Sequence, residues 1–460
     1  MTEKSYETRI GKLTFTQDFA NGYPTHETVE KLFDELDFQR ACQAFIWAFP
    51  HVSMAQWQYA HVEQLGAKNG QIIYFESYED KVGGLTYNVT TPYALAFIDL
   101  AAEGPFVIEI PEGEVRGATH DMWQISFTQL TEPGKYLIVG PGQEIPANAE
   151  AEGYKVFQSP TNSLLSVTRL ITTDRDERMV LLGKINIYPF SERSNPQPRG
   201  YITPDGKDWL AAPPRGIVYW ERLAEIINRE PVFERDRLIM AMLKPLGIEK
   251  GKPFNPDERQ TKILTEAAFV GEAMVKTNDF AKRLESAHYV EGVQWEYATV
   301  CEPNQRAEYY DQLDERAAWL YEAVTNDISM HGQKHGWGQI YMSTYKDKDG
   351  DWLDGGVNYV LHLPPNVPAE SFWSMTLYDV DTRCIIRNEQ HIADRSSQMD
   401  LLVNEDGSVD LYFGPDAPAG KEQNWIPTVP DKAWFPYFRL YSPTQAFLDK
   451  IWVLPDIEKA

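Results

Sequence analysis

The chain has 460 residues, of which 43% are hydrophobic and 13% aromatic, and its 43 basic and 68 acidic side chains give a formal charge of −25. That length accommodates about two or three domains with sizeable cores, while the charge repels other polyanions, so neither nucleic acid nor an anionic membrane surface is an expected partner. Cys42, Cys301 and Cys384 are odd in number and far apart, which excludes a disulfide framework and a zinc pattern and predicts buried thiols.

The amino terminus, Met1 to Glu7, is polar and lacks the apolar core of a signal peptide. No later run reaches the about 18 apolar residues of a membrane span. The expectation is a soluble, cytoplasmic protein, or a periplasmic or secreted one if a signal peptide has been removed.

From Thr25 to Gly66, apolar residues such as Val29, Leu32, Phe33, Leu36, Phe45 and Ile46 recur at helical intervals. Phe49-Pro50 is expected to divide this stretch, with a second helix over Val52 to Leu65. Between Ile72 and Ile171 the pattern changes to short apolar runs bounded by Gly and Pro, as in Pro105 to Pro111, which predicts strands. Four longer segments follow, Tyr219 to Asn228, Val232 to Leu246, Asp257 to Glu285 and Glu308 to Thr325. Each is charged on one face and poor in Gly and Pro, so each reads as a helix. Beyond Tyr345 the strand signals return, punctuated by the turn dipeptides Asp349-Gly350, Asp354-Gly355 and Asp406-Gly407, before a short helix near Thr444 to Ile451.

Grouping strands apart from helices predicts a mainly β chain with helices: two β-sandwich or jelly-roll-like domains joined by a helical segment. The divisions are a helical segment over 1–70, a first β-sandwich domain over 71–205, a helical connection over 206–339 and a second jelly-roll-like domain over 340–460. The two β regions repeat an order of features. In the first, Trp123 precedes the strand Lys135 to Val139 with Gly140-Pro141, then Pro146 and a strand carrying Arg169. In the second, Trp373 precedes Val409 to Phe413 with Gly414-Pro415, then Pro418 and a strand carrying Arg439. Residues at matching places, Trp123 with Trp373 and Arg169 with Arg439, are expected to serve the shared scaffold.

Function is then sought where the copies differ. Asn88 and Tyr93, in the run Gly84 to Tyr93, join His120 and Trp123 as a set able to line a polar cleft with an aromatic floor. His120 suits proton transfer near neutral pH, with Asn88 or Asp121 as partner, although neighbouring strand residues point to opposite faces. A second set, Arg383, Arg387, Glu389, His391, Asp394 and Arg395, offers arginines for a carboxylate or sugar acid, and Glu389 with His391 at same-face spacing. Two ligands do not make a metal site, so no metal is assigned. Asp347-x-Asp349-Gly350-Asp351 lacks the final Glu of an EF-hand. His331 and His335 stand at helical spacing among helix-breaking glycines, without the zincin Glu. No serine elbow, phosphate loop or dinucleotide fingerprint occurs, and no cofactor is expected.

Together these residues resemble the bacterial proteins that pair two domains of unknown function, numbered twelve-fifty-four at the amino end and twelve-fourteen at the carboxyl end. The first is carried by Thr86-Tyr87-Asn88, Thr91-Pro92-Tyr93, Phe97 to Leu100, His120 to Gln124 and Gly134 to Leu137 with Gly140-Pro141. The second is carried by Phe372 to Asp379, Asp406-Gly407-Ser408, Asn424 to Pro427 and Arg439 to Pro443. His120 stands where that pattern often has Asn, and Thr90-Thr91 replaces the more usual Asn-Asp or Asp-Thr pairing. The resemblance implies β-rich, jelly-roll-like molecules that form homo-oligomers; it supplies no reaction.

The leading expectation is a cofactor-independent enzyme acting on a small organic or carbohydrate-like substrate in a cleft of the first β domain. His120 and Asn88 would be its catalytic residues, and Tyr93, Trp123, Arg383 and Arg387 its substrate contacts. The alternative is a non-enzymatic glycan-binding or assembly protein built from paired jelly rolls.

Overall fold

A computed structural model describes residues 2–332 and 334–460. An amino-terminal hairpin, β1 (Lys4–Thr8) and β2 (Gly11–Phe15), leads into α1 (His26–Tyr59). The first β unit contains β3 (Ile72–Phe75), β4 (Tyr93–Asp99), β5 (Phe106–Ile110), β6 (Val115–Asp121), β7 (Ser126–Gln129), β8 (Gly134–Val139), β9 (Tyr154–Gln158), β10 (Ser163–Leu170), β11 (Asn186–Pro189) and β12 (Tyr201–Ile202). Helices Ile217–Arg229, Glu258–Phe280 and Leu313–Glu322 follow and pack on α1. The second unit contains β13 (Glu296–Tyr297), β14 (Gln339–Ser343), β15 (Tyr359–Leu363), β16 (Ala369–Asp379), β17 (Asp394–Ser396), β18 (Val409–Gly414), β19 (Trp425–Pro427), β20 (Trp434–Pro443) and β21 (Glu458–Lys459).

The strand orders show a duplication. The first unit has a large sheet β12-β3-β4-β10-β6-β7 and a small sheet β11-β5-β8-β9; the second has β13-β14-β20-β16-β17 and β19-β18-β15-β21. Adding ten to each of β3 through β11 converts the first pair of orders into the second, apart from the extra edge strand β12. The hands agree too, since β8 with β9 and β18 with β19 are parallel pairs in otherwise antiparallel small sheets. In the first unit, alternate residues Ala94, Ala96, Ile98 and Leu164 of the large sheet share one core with Phe106, Ile108, Tyr136 and Ile138 of the small sheet. In the second, Trp434 meets Phe413 and Tyr359 across the same kind of gap. Of the expected repeat, Trp373 lies on β16, but Trp123 falls in the turn after β6 rather than on a strand. There Asp121 caps the turn by accepting the N–H groups of Trp123 and Ile125 at 2.9 and 3.0 Å.

One predicted break is absent, because α1 runs through Pro50 as a single helix and passes into a π-helical turn over Ala60–Gln64. Proline removes a hydrogen bond in mid-helix and leaves a carbonyl free. Here the carbonyls around it recruit other donors: Tyr219 donates its hydroxyl to Phe45 O at 2.9 Å and Arg316 donates Nη2 to Trp47 O at 3.0 Å. Nearly every residue from Ala41 to Gln58 is buried, so tertiary packing outweighs the local preference. The predicted helix over Val232 to Leu246 is instead a broken one, with only Arg237–Leu243 α-helical.

The π turn holds His61 in a box of rings, 5.8 Å from Trp57, 5.5 Å from Phe75, 5.1 Å from Phe97 and 6.1 Å from Trp209. Neither ring nitrogen has a partner, and burial pushes the imidazole down to about 3. A histidine whose folded value lies below its unfolded value loses stability as pH falls through the unfolded value, by about 1.4 kcal/mol per pH unit. His61→Phe is therefore expected to raise the unfolding free energy by about 1–3 kcal/mol at pH 7. The gain should be larger near pH 5, and denaturant titrations at the two pH values read both effects.

Candidate functional site

Each large sheet turns one face to its own sandwich core and the other to a cavity of ≈ 980 Å³ that opens between the two units. On the first sheet the strand registers align Arg169, Val167 and Leu165 of β10 with Arg116, Ala118 and His120 of β6. On the second they align Tyr437, Arg439 and Tyr441 of β20 with Ser343, Tyr341 and Gln339 of β14 and with Thr376, Ser374 and Phe372 of β16. Because side chains alternate along a strand, each of these sets shares a face. The cavity therefore has walls from both units and is not a cleft of the first alone.

The loop before β4 closes one side. Asn88 donates Nδ2 to Tyr441 Oη at 3.0 Å, accepts the Thr91 N–H and hydroxyl at 2.8 and 3.1 Å, and gives its own N–H to Tyr93 Oη at 3.0 Å. Thr86 takes a φ of 42°, a costly left-handed conformation for a β-branched residue. Its carbonyl accepts Arg439 Nη2 at 2.7 Å, and the Tyr378 hydroxyl donates to Tyr87 O at 2.9 Å. Lys81 is buried beneath this loop, donating to Val89 O and Thr91 O at 2.8 and 3.0 Å, and burial draws its ammonium down to about 7.

Arg439 is 2% exposed and sits 5.0 Å from the Tyr437 ring, 5.5 Å from Tyr341 and 5.6 Å from Tyr378. Its Nη1 has no partner. Across the cavity Arg169 lies 3.9 Å over the Tyr93 ring and donates Nε to Pro92 O at 3.0 Å. Neither arginine forms an ion pair among the described residues. Burial raises the hydroxyls of Tyr341, Tyr378 and Tyr437 above their ordinary value, so these tyrosines stay neutral and supply no counter-charge.

Behind Tyr437 the charge pattern reverses. Its hydroxyl donates to Glu322, which also accepts the Tyr345 hydroxyl at 2.6 Å. Lys282, fully buried, contacts Tyr345 Oη at 2.8 Å, Asp279 at 3.1 Å and Glu296 at 3.5 Å. Burial and the neighbouring Glu322 push Asp279 well above the usual carboxylate range, so the cluster keeps a proton.

The cavity brings together three of the sequence-predicted residues, Asn88, Tyr93 and His120. Both nitrogens of His120 are buried without a partner, and burial lowers it to about 4 against the raising influence of Asp327. Asp121 is engaged in its turn and is lifted by burial to about 7, leaving Asp327 as the acidic neighbour of His120. Trp123 does not reach the cavity; it stacks at 4.3 Å on His51. Arg383 is also outside it, 4.2 Å over the Tyr321 ring and bonded to the carbonyls of Tyr321 and Asp381, while exposed Arg387 faces Asp208 at 3.3 Å. His391 pairs at 2.6 Å with Glu79, not with Glu389, and Asp394 accepts the Thr90 hydroxyl at 3.2 Å. Lys459 forms ion pairs with Asp347, Asp349 and Asp351 at 3.1, 3.5 and 2.5 Å. His331 and His335 part ways, to Asn326 and Glu370. Among the described residues no group of three or more His, Cys, Asp or Glu side chains is arranged to hold a metal ion.

Arg169 and Arg439, expected to serve the scaffold, are cavity residues, as are Tyr341, Tyr437, Tyr441 and Asp327. The alternation Phe435, Tyr437, Arg439, Tyr441, which sets an arginine among aromatics on one face of a strand, was the available signal.

Residues 71–184 match the family described as protein of unknown function DUF1254, and residues 338–445 match protein of unknown function DUF1214. The chain thus pairs these two domains, in that order. No curated protein matches it. The solved VPA0106 protein from Vibrio parahaemolyticus is 18% identical, with a TM-score of 0.55 over 92% of this chain and 100% of that one, a likeness of fold. An uncharacterized protein from Burkholderia cenocepacia is 12% identical with a TM-score of 0.40 over 94% of this chain and 96% of that one.

The cluster behind Tyr437 makes Lys282 a sensitive position. Lys282→Met leaves buried carboxylates without their cation and is expected to cost about 3–5 kcal/mol of stability, read by denaturant unfolding.

Proposed function

We propose that the cavity is the active site of a cofactor-independent enzyme acting on a small organic or carbohydrate-like substrate, with His120 moving the proton. The observation that carries this reading is His120 itself, whose two ring nitrogens stand unpartnered in the cavity wall beside Asp327. At neutral pH the imidazole is uncharged and free to accept a proton. Burial works against the Asp327 carboxylate, and hydrogen bonds from Ser329 and Gln129 more than offset it, holding the group below its ordinary value. Its charge would stabilise the imidazolium formed during transfer, as an acidic partner does in other histidine pairs. Trp337 and Phe372 offer aromatic surface to a flat or sugar-like body, Tyr93 is held between Tyr87 and Arg169, and the Asn88 loop limits the orientation of what enters.

The depression of His120 also favours a second reading. A neutral imidazole that resists protonation is a good fixed hydrogen-bonding partner, as a binding or assembly protein without turnover would require.

The two readings separate in one experiment. The protein is incubated with sugar acids, hydroxy acids, phenolic acids and neutral sugars, and conversion is followed by NMR. The enzymatic reading expects turnover of at least one compound, lowered about 10²- to 10⁴-fold in His120→Ala. Undiminished turnover in the variant removes His120 from the reaction, and binding without conversion by the wild type selects the second reading.

A further inference from the structure

We propose that the ligand of this cavity is an organic carboxylate, gripped between Arg439 of the second unit and Arg169 of the first. The inference rests on reading the cavity as a ligand site and adds the chemical class of what enters it.

Arg439 is the strongest pointer. A guanidinium does not deprotonate in proteins, and a buried one is costly unless paired. Arg439 is buried, yet its polar partners are neutral, the Thr86 carbonyl and the Tyr378 hydroxyl, and its Nη1 is left over in the cavity wall. The rings around it are neutral tyrosines, which attract a cation through their faces without cancelling its charge. Of the titratable groups packed nearby, Arg169 is cationic and Lys81 is a base that burial draws down to about 7. Asp394 is the acidic group that acts on Arg439, from a distance, and its carboxylate is occupied by Thr90. In a chain of charge −25, an acidic partner within reach would have been easy to supply. Leaving Arg439 without one is what a site that receives its anion from outside requires.

Arg169 occupies the equivalent place in the duplicated unit, on the central strand β10 as Arg439 is on β20, and it too lacks an acidic partner. Directly beside it in the sheet, Arg116 is exposed at the cavity mouth, where a cation draws anions inward. One orphaned guanidinium nitrogen on one side and a ring-stacked guanidinium on the other suit the planar, singly charged carboxylate. The reactive end is set by register. Arg169 and Leu165 are four residues apart on β10, and Leu165 pairs with His120, so the anion grip and His120 stand about 13 Å apart along the sheet. The acid therefore has a body of about the size of a disaccharide or a substituted aromatic acid, with its reacting atom remote from the carboxylate.

The test compares matched acids and amides by calorimetry on the full chain: benzoate with benzamide, a phenolic cinnamate with its amide, and glucuronate with glucuronamide. At least one acid is expected to bind about tenfold or more tighter than its amide. Arg439→Met and Arg169→Met should each weaken the acid about 10- to 100-fold and leave the amide nearly unchanged, with Arg439→Lys restoring part of the loss. Amides that bind as well as acids, acids that fail to bind at millimolar concentration, or equal displacement by inorganic phosphate would each overturn the proposal. The acid-to-amide ratio in the wild type stands even if Arg439→Met does not fold, and Arg169, being partly exposed, offers a milder variant. Acid-selective binding without turnover sinks the enzymatic reading and keeps this one; turnover of a neutral compound with no acid preference does the reverse.

Discussion

The hydrogen bond from Arg439 to the Thr86 carbonyl joins the two halves of this molecule at the place where their duplication creates a gap. Two sandwiches related by the same strand order each bury one face of a large sheet and leave the other face to be covered. In this chain helices cover part of those faces. The remainder is spanned by the loop from Gly84 to Tyr93, which leaves the first unit, bridges through Leu85 to Cys384 of the second, and returns as β4. Thr86 accepts an unfavourable backbone conformation in that crossing, and its reward is a carbonyl presented to a buried cation. Were the loop to lie elsewhere, Arg439 would lose its acceptor, Asn88 would lose Tyr441, and the cavity would open on that side.

The duplication was legible in the sequence because strand order leaves traces in spacing. The pairs Gly140-Pro141 and Gly414-Pro415 end strands β8 and β18, which hold the same position in their small sheets. What spacing does not reveal is which face of a strand meets its own sandwich. Trp434, Phe438 and Leu440 on one side of β20 and Tyr437 and Arg439 on the other are all buried, so both faces read as core. Arg439 therefore reads as scaffold, and its burial does make it part of the scaffold. The two roles coincide in one side chain.

Asn88, Tyr93 and His120 fall within one stretch of strand signals, and the fold unites them through β10, which pairs with β4 on one side and β6 on the other. Arg383 and Arg387 belong to a segment after β16 whose path depends on distant partners: Arg383 is drawn under Tyr321 in the connecting helices, and Arg387 out to Asp208. Trp123 departs from its expected place on a strand for a smaller reason. The carboxylate of Asp121 closes a turn over it, so the indole leaves the strand direction and packs between Trp47 and His51. Pro50 teaches the same lesson for helices, since its effect is decided by donors from Tyr219 and Arg316, far away in sequence.

The two buried cations of the second unit follow opposite electrostatic plans, and Tyr437 connects them. Lys282 is surrounded by more carboxylate than it can neutralise, whereas Arg439 has rings in place of carboxylate. Tyr437 gives its hydroxyl proton to Glu322 on one side and its ring face to Arg439 at 5.0 Å on the other. A phenol that donates a hydrogen bond to a carboxylate carries more electron density in its ring, and hydrogen bonds in a low-dielectric interior polarise one another. The ring face is thereby made a better seat for a cation. The surplus negative charge behind the sheet is thus felt at the cavity wall only in diluted form, through a neutral ring. Arg439 is thus seated on neutral rings, without a carboxylate partner among the described residues.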